Sequence, residues 1–299
     1  MTVLLAELIA EGVTLGSLYA LIAFAFVITF RATETLNFAL GSFLVMGGLV
    51  TAELSVNAHL GFWPAFAISC ALVTATSMLI ERFLVRPMIG RTLFVLGVLT
   101  IGVDLIISTL TQHVIGDKVF PLGDPWGSKV LSFATVSLPA SRLSALIVAL
   151  AIGVGFALWF RYTTWGIAMR AAAEDSATAA LMGVRLGRVS MVAWAISGLI
   201  AGIAGMFLST FPTLGADPTL RDVAFSTFPA AALGGFDSTT GAVVGGMLIG
   251  LVTAITQGYE SHLTFLGASL HTIVPYVALV VILLINPNGL FGTREVSRV

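Results

Sequence analysis

The chain is poor in charged residues and in cysteine, and both shortages restrict what it can be. Charged residues make up 10% of its 299 residues, whereas soluble domains carry about 25%. The formal net charge is −1, so no bulk attraction to nucleic acid is expected. Cys70 is the only cysteine. It excludes a disulfide within the chain, and its apolar surroundings favour a packing role over metal or thiol chemistry.

Motifs for catalytic or nucleotide chemistry are also missing. The sequence has no GxxxxGK[ST] phosphate loop, no HExxH pair and no recognisable nucleophile–base arrangement. The scattered polar candidates His113, Glu260, His262 and His271 lack the spacing of metal ligands. We therefore expect no catalytic residue, metal or cofactor in this chain, and any ATP and Mg²⁺ would be held by separate subunits.

Long apolar runs dominate what is present. Hydrophobic residues make up 58% of the chain and the mean hydropathy is +1.03. Runs of about 20 apolar residues bounded by Gly, Pro or charge are typical of membrane-spanning helices. We predict one all-α, polytopic membrane domain over 1–299 with about eight to ten segments. The predicted segments are 5–29, 36–57, 62–84, 93–115, 143–160, 189–211, 239–257 and 267–286, with a shorter apolar piece at 223–235.

The amino-terminal run carries Glu7 and Glu11 but no basic residue before its apolar part. It therefore lacks the basic region of a signal peptide, and we expect it to stay as the first span.

The basic residues predict the orientation of the chain, because cytoplasmic connections are rich in Lys and Arg. With the amino terminus outside, the cytoplasmic connections would hold eight basic residues and the outside connections four. The cytoplasmic set is Arg31, Arg82, Arg86, Arg91, Arg161, Arg170, Arg185 and Arg188, and the outside set is Lys118, Lys129, Arg142 and Arg221. Eight full spans would leave the carboxyl-terminal tail outside, away from this basic side. A further crossing is therefore needed, and 223–235 as half of a broken helix is the candidate.

Glycine and proline mark two further features. The outer connection 114–141 is rich in Gly, Pro and Asp, which predicts turns and short extended pieces. Several of the 31 glycines have GxxxG spacing within the spans. That spacing predicts close helix packing, with sliding faces of a gated transporter as the alternative. The pairs are Gly12/Gly16, Gly198/Gly202, Gly241/Gly245 and Gly246/Gly250.

The stretch 162–188 breaks the apolar pattern. Burying its five charged side chains in a bilayer would cost on the order of 10–15 kcal/mol, so it must lie in water. Asp175 is placed to cap a second helix and Gly183 to end it. Ala177, Ala180 and Leu181 share one face of that helix. We predict a helix–turn–helix that docks to another protein, and the alternative is a solvated loop without a partner.

Five motifs along the chain resemble the branched-chain amino acid ABC importer permeases of the LivH type. They are "GVTLGSLYALIAFAFVITF", "TLNFALGSFLVMGG", "WGIAMRAAAEDSATAALMGV", "LGGFDSTTGAVVGGMLIGL" and "NPNGLFG". The resemblance implies a multi-pass protein of a prokaryotic inner membrane. Its implied partners are a homologous permease, two cytoplasmic ATPases and an extracytoplasmic solute-binding protein. The third motif corresponds to the family's ATPase-coupling element, which implicates Gly166, Arg170, Ala171, Glu174, Asp175, Ala179 and Gly183.

Two departures from the family pattern bear on the solute. Ser176 stands where the family often has Pro, and Leu40 precedes Gly41 where the family usually has a polar residue or His. Family members carry branched-chain amino acids, urea, short amides or other small carboxylated compounds. The resemblance therefore leaves the solute open.

The second span resembles the one that lines the family's translocation route, which makes Asn37, Phe38, Gly41 and Ser42 candidate route residues. Asn37 offers a neutral donor and acceptor, and its alternative role is a helix cap. Asp104 lies well inside the fourth apolar run, where an unpaired carboxylate is costly. It has either a hydrogen-bonding role within the bundle or, in an alternative function, the role of an ion site in a self-sufficient secondary transporter or channel.

Overall fold

The computed structural model describes residues 2–115, 119–123, 125–127, 129–133, 136–210, 215–260, 269–286 and 289–292. Helices make up most of these residues. They are α1 (Thr2–Thr33), α2 (Leu40–Ala52), α3 (Phe62–Ile80), α4 (Leu93–Ile115), α5 (Ala140–Tyr162), α6 (Thr164–Glu174), α7 (Ser176–Leu181), α8 (Leu186–Leu208), α9 (Leu220–Gly234), α10 (Thr239–Tyr259) and α11 (Leu270–Ile285). A π-helical turn, Glu53–Asn57, extends α2. A second π turn, Glu81–Val85, and a 3-10 turn, Arg86–Met88, extend α3.

The polytopic helical fold is confirmed. Seven helices of the described chain are long and apolar enough to cross a membrane, and α11 is a shorter apolar helix. Each predicted segment corresponds to a helix, and most ends shift by a few residues. Positions 211, 267 and 268, where two predicted segments end or begin, lie outside the described residues.

The direction of each helix follows from close contacts at glycines. A Cβ at Gly12 would meet Leu251, whereas one at Gly250 would meet Gly16 and one at Gly246 would meet Ala20. Residue numbers rise along α1 as they fall along α10, so the two helices are antiparallel. Therefore α10 begins at the end of the bundle where α1 finishes. A Cβ at Gly235, shortly before α10, would meet Gly292, so the chain after α11 lies at that same end.

Helix α9 covers most of the shorter apolar piece at 223–235 and runs between mid-depth and one end of the bundle. Its last turn lies at the end of the bundle where α11 finishes, because the amide of Leu290 donates to the carbonyl of Leu233 at 2.7 Å. Near its first turn, Arg221 contacts Asp104 at the middle of α4. The piece at 223–235 is thus helical, and the helix begins three residues earlier than predicted. That it completes a membrane crossing stays a prediction.

Glycine lets the helix backbones touch. The ideal Cβ at Gly205 would lie 2.0 Å from the carbonyl oxygen of Leu44, and one at Gly245 would lie 2.1 Å from that of Ala230. Such distances leave no room for any side chain. The close-packing interpretation of the glycine spacing is therefore confirmed, and sliding of these faces stays a prediction.

The outer connection contains a short hairpin. Strands β1 (Val130–Phe133) and β2 (Val136–Pro139) are antiparallel, with Val130 opposite Pro139. An isolated bridge joins Phe120 to Ala216. Within the described parts of 114–141, this confirms the predicted mixture of turns and short extended pieces.

Candidate functional site

The charged stretch forms a tight corner at the end of α5. The Thr163 hydroxyl accepts a hydrogen bond from the amide of Gly166 at 3.2 Å and caps α6. A Cβ at Gly166 would lie 2.0 Å from the carbonyl oxygen of Phe160. Only glycine fits where α6 folds back so closely against α5, so the family motif has a steric reason at this position.

Arg170 fixes the same corner from the other side. Its guanidinium donates to the carbonyl of Phe160 and lies 5.3 Å from the centre of the Phe160 ring. Arg31, at the end of α1, lies 5.8 Å from the same ring. Met169 and Ala172 turn inward and pack against α1 and α8. Arg170 thus ties α6 to α5, while its neighbours Ala171 and Glu174 are half-buried and exposed, respectively.

Asp175 forms the turn between α6 and α7, as the sequence predicted. Its Oδ1 accepts hydrogen bonds from the amides of Ala177 and Thr178 at 3.0 and 3.1 Å. Its Oδ2 accepts one from the Thr178 hydroxyl at 2.5 Å. The bond from this hydroxyl, together with those from the backbone, holds the pKa of Asp175 below its ordinary value. The carboxylate is thus an effective cap for the short helix.

Gly183 ends α7, which confirms the predicted stop. Its φ of +89° lies in the left-handed region that favours glycine. Its amide donates to the carbonyl of Ala180, and the next amide, of Val184, donates to that of Ala179, both at 3.0 Å. This arrangement satisfies the last carbonyls of the helix and turns the chain into α8.

The outer surface of the corner is apolar. Leu181 is 88% exposed and Met182 is 82% exposed, and Ala177 and Ala180 are exposed beside them. The predicted stripe is present, and Met182 is an addition that sequence reasoning missed. Ala179 is only 4% exposed, so a coupling role for it would act by setting the position of α7 and not by contact with a partner.

Contacts bring basic residues predicted for one side of the membrane to one end of the bundle, since Arg31 and Arg170 lie over the Phe160 ring. At this end Arg86 connects the extension of α3 to α8. It pairs with Glu81 at 2.8 Å and donates to the carbonyl of Gly187 at 2.5 Å. The Ser190 hydroxyl donates to the same Glu81 carboxylate at 2.6 Å. These bonds join the turns that extend α3 to the first residues of α8, which follows the corner.

A second polar cluster lies at mid-depth. Asp104 is 1% exposed, pairs with Arg221 and accepts a hydrogen bond from the Nε of Arg221 at 2.7 Å. The Ser42 amide donates to the Asp104 carboxylate at 3.1 Å, and the Ser42 hydroxyl also donates to it. The hydrogen-bonding interpretation of Asp104 thus has its partners.

Arg221 corrects the sequence analysis. The charge count places it in an outside connection, whereas it lies inside the bundle as the second residue of α9. Its stem packs on Gly41, where a Cβ would come within 3.0 Å of the Arg221 Cγ. The position of Arg221, two residues before the predicted apolar piece 223–235, indicates that it could belong to the same helix. Counting it only as a basic residue of a connection misses this.

Asn37 and Phe38 lie beside this cluster at the start of α2. Asn37 is fully buried, and its side-chain amide has no hydrogen-bond partner among the described residues. Ala39 is the residue that precedes α2, and no side-chain cap bond is present there, so the cap alternative for Asn37 is wrong. Phe38 packs against Phe228 of α9 with ring centres 5.8 Å apart. The four predicted route residues are thus close together, and their role in transport stays a prediction.

Comparison with known proteins agrees with this architecture. The chain is 27% identical over 302 residues to the high-affinity branched-chain amino acid transport system permease protein LivH of Escherichia coli (strain K12), covering 97% of this chain and 96% of that protein. It is 28% identical over 300 residues to the probable branched-chain amino acid transport permease protein LivH of Methanocaldococcus jannaschii, covering 96% and 92%.

A solved structure, PsaBC from Streptococcus pneumoniae in complex with Fab, shares the fold. Its TM-score is 0.51 at 13% identity, covering 93% of this chain and 91% of that one. The family model described as "Branched-chain amino acid transport system / permease component" matches residues 8–283. The chain therefore belongs to the family of permease components of branched-chain amino acid transport systems.

Proposed function

We propose that the chain is the transmembrane subunit of an ATP-driven importer for branched-chain amino acids or a related small polar or carboxylated solute. Family membership supports the transport role. The exposed Leu181 and Met182, on a corner braced against three helices, support the coupling role. Exposed apolar side chains on a rigid, water-facing element are typical of a protein-binding surface.

The partners follow from this proposal. Two cytoplasmic ATPases would bind ATP and Mg²⁺ and press on the corner of each permease. A homologous permease would complete the route, and an extracytoplasmic binding protein would deliver the solute. The chain itself has no catalytic role. It would lie in the inner membrane of a prokaryote, with the basic end of the bundle in the cytoplasm.

The mid-depth cluster is the part of the route that this chain would contribute. Asn37 offers a side-chain amide that bonds to no described residue, and Arg221 is partly exposed beside Ser42. A zwitterionic amino acid needs such hydrogen-bonding groups along an otherwise apolar path. The motion of the ATPases would alternately open this cluster to the two sides of the membrane. A self-sufficient transporter driven by Asp104 has no comparable support, because that carboxylate is already paired.

The coupling role is tested by making the corner polar. We expect Leu181→Ser/Met182→Ser to reach the membrane but to lose both the copurifying ATPase and solute uptake. Ile89→Ser is the matched control, since Ile89 is also an exposed apolar residue at the basic end. If the double variant retains its ATPase and imports like the control, the corner is a solvated loop and the proposal fails.

The orientation is tested with single cysteines in a Cys70→Ser background. Lys129 directly precedes strand β1 of the outer connection, and Ser176 is the first residue of α7 in the corner. Both residues are exposed. We expect an impermeant thiol reagent added outside to label Lys129→Cys and to leave Ser176→Cys unlabelled until the membrane is opened. Outside labelling of Ser176→Cys would reverse the orientation.

A further inference from the structure

A cavity of about 490 Å³ lies between α1, α5 and α10. This volume is within the range of small-molecule sites, roughly 300–1,000 Å³. The cavity is separate from the Asp104 cluster and from the exposed face of α7. Its apolar wall includes Leu21, Phe24, Ile152, Phe156, Val243 and Met247.

One end of this cavity is cationic. Arg161 and Arg170 line it there, together with Thr239 and Thr240 from the first turn of α10. Arg170 uses part of its guanidinium on the Phe160 carbonyl, and a guanidinium has five N–H donors in all, so others remain for a ligand.

Among the described residues that line the cavity, Arg161 and Arg170 are the charged ones. The nearby carboxylates Asp237 and Glu174 do not line it. The two lining arginines therefore present a net positive charge to whatever occupies the space.

The length of the cavity matches half of a bilayer. Ala149 and Arg161 both line it and are 12 positions apart on α5, which corresponds to about 18 Å along a helix. The hydrocarbon of one leaflet is about 15 Å deep, half of a core of about 30 Å. The cavity thus runs from the middle of α5 to its last turn, apolar along its length and cationic at the surface.

The volume of this cavity is too small to enclose a transmembrane helix. A single helical turn with its side chains, about 10 Å across and 5.4 Å long, occupies roughly 420 Å³. A span of several turns would need far more space than the cavity has. A narrow hydrocarbon chain that ends in an anionic group fits both the width and the charge.

We propose that the cavity binds one anionic phospholipid from the leaflet next to the corner. Its phosphate lies against Arg161 and Arg170, and one acyl chain follows the groove along α5. Basic pockets between membrane helices on the cytoplasmic side are suited to such headgroups. The site is independent of the proposed import function, because its occupancy is measured without any transport.

The test is native mass spectrometry of the full chain titrated with dioleoylphosphatidylglycerol or dioleoylphosphatidylcholine. We expect one site with a clear preference for the anionic lipid. Arg161→Gln should weaken the anionic lipid about fivefold, the effect of one basic residue near an anionic headgroup. Arg82→Gln is the charge control, since Arg82 is exposed at the same end but does not line the cavity.

Filling the groove tests the acyl chain. Gly153 lines the cavity with open space at its Cβ position, and Gly155 on the same helix also has open space but does not line it. We expect Gly153→Leu to abolish the site and Gly155→Leu to leave it unchanged, with both proteins folded.

Three results would overturn the proposal. Wild-type lipid binding by Gly153→Leu would show that the lipid lies elsewhere. Displacement of the lipid by inorganic phosphate at equal concentration would reduce the site to an anion site. Loss of association between permease subunits in Gly153→Leu, with lipid binding intact, would make the groove a protein interface.

Discussion

Helices α1 and α5 have similar hydropathy and opposite surroundings. Their most apolar windows have mean hydropathies of 2.2 and 2.4, yet 89% of the α1 window is buried inside the protein and only 11% of the α5 window is. In water these two helices would be equally driven inward. In a bilayer lipid is as apolar as the protein interior, so hydropathy does not decide which helix is central.

Close backbone approach decides it instead. At Gly250 a Cβ would lie 2.2 Å from the Cα of Gly16, whereas at Gly155 it would meet no described atom within 4 Å. Both residues are glycines in apolar helices, but only the first lies where two backbones touch. Helix α1 is therefore held by packing along most of its length, whereas α5 packs through one face, which includes the buried Ala145 and Ala149.

The sharpest test of this comparison is the same substitution at both places. We expect Gly250→Leu to destabilise the protein by about 3 kcal/mol or more, because overfilling a tight interface forces backbones apart. Gly155→Leu should change the free energy of unfolding by less than about 0.5 kcal/mol. Titration with a denaturing detergent measures both, and equal effects would remove the distinction between the two helices.

The contribution of buried polar contacts to stability is tested at Asp104. We expect Asp104→Asn to destabilise the protein by about 2 kcal/mol. This is less than the 3–5 kcal/mol of a fully buried pair, because the Arg221 side chain is 29% exposed. The double variant Asp104→Asn/Arg221→Gln should lose less than the sum of the single losses. Ser108→Ala is the control, since that exposed hydroxyl bonds only to the Leu105 carbonyl of its own helix. Additive losses would mean that the pair is not coupled.

Sequence reasoning found the features that are local in the chain. Asp175 and Gly183 were predictable because a cap and a helix stop depend on neighbours within a few residues. The spans were predictable because hydropathy is summed over one segment. Arg221 was not, because its partner Asp104 is 117 positions away and no local pattern joins them.

The burial of individual residues and helices could not be predicted from the sequence for the same reason. The inward direction of Ala179 and the contrast between α1 and α5 depend on which helices are neighbours. Glycine spacing came closest to that information, because it marks the faces where backbones can approach. The spacing does not identify the partner helix, however, and α5 carries two glycines, Gly153 and Gly155, against which no described residue packs.

A smaller effect on stability is expected at the ion pair that connects the start of α5 to α1. Arg142 pairs with Glu11 of α1 at 3.1 Å, and both side chains are partly exposed. We expect Glu11→Gln to cost about 1 kcal/mol or less, as for other solvent-accessible ion pairs, and the cost should shrink at high salt. Unfolding at low and high salt measures this, with Glu7→Gln as the control. A loss as large as that of Gly250→Leu would show that charge, and not packing, holds this side of the protein.

The smallest effect is confined to the corner that follows α5. Asp175→Ala should remove the cap of α7 and raise amide hydrogen exchange over Ser176–Leu181, while Asp175→Asn should raise it less, because Asn also caps helices well. Global stability should stay unchanged, since the side chain is exposed and its bonds are local. The pKa of Asp175 is lowered in the folded protein, so the cap is fully present above the unfolded value of about 3.9 and is lost as the pH falls through the lower folded value. Exchange of these amides, corrected for its intrinsic pH dependence, should therefore be the same at pH 7 and pH 5. A rise already at pH 5 would contradict the carboxylate cap.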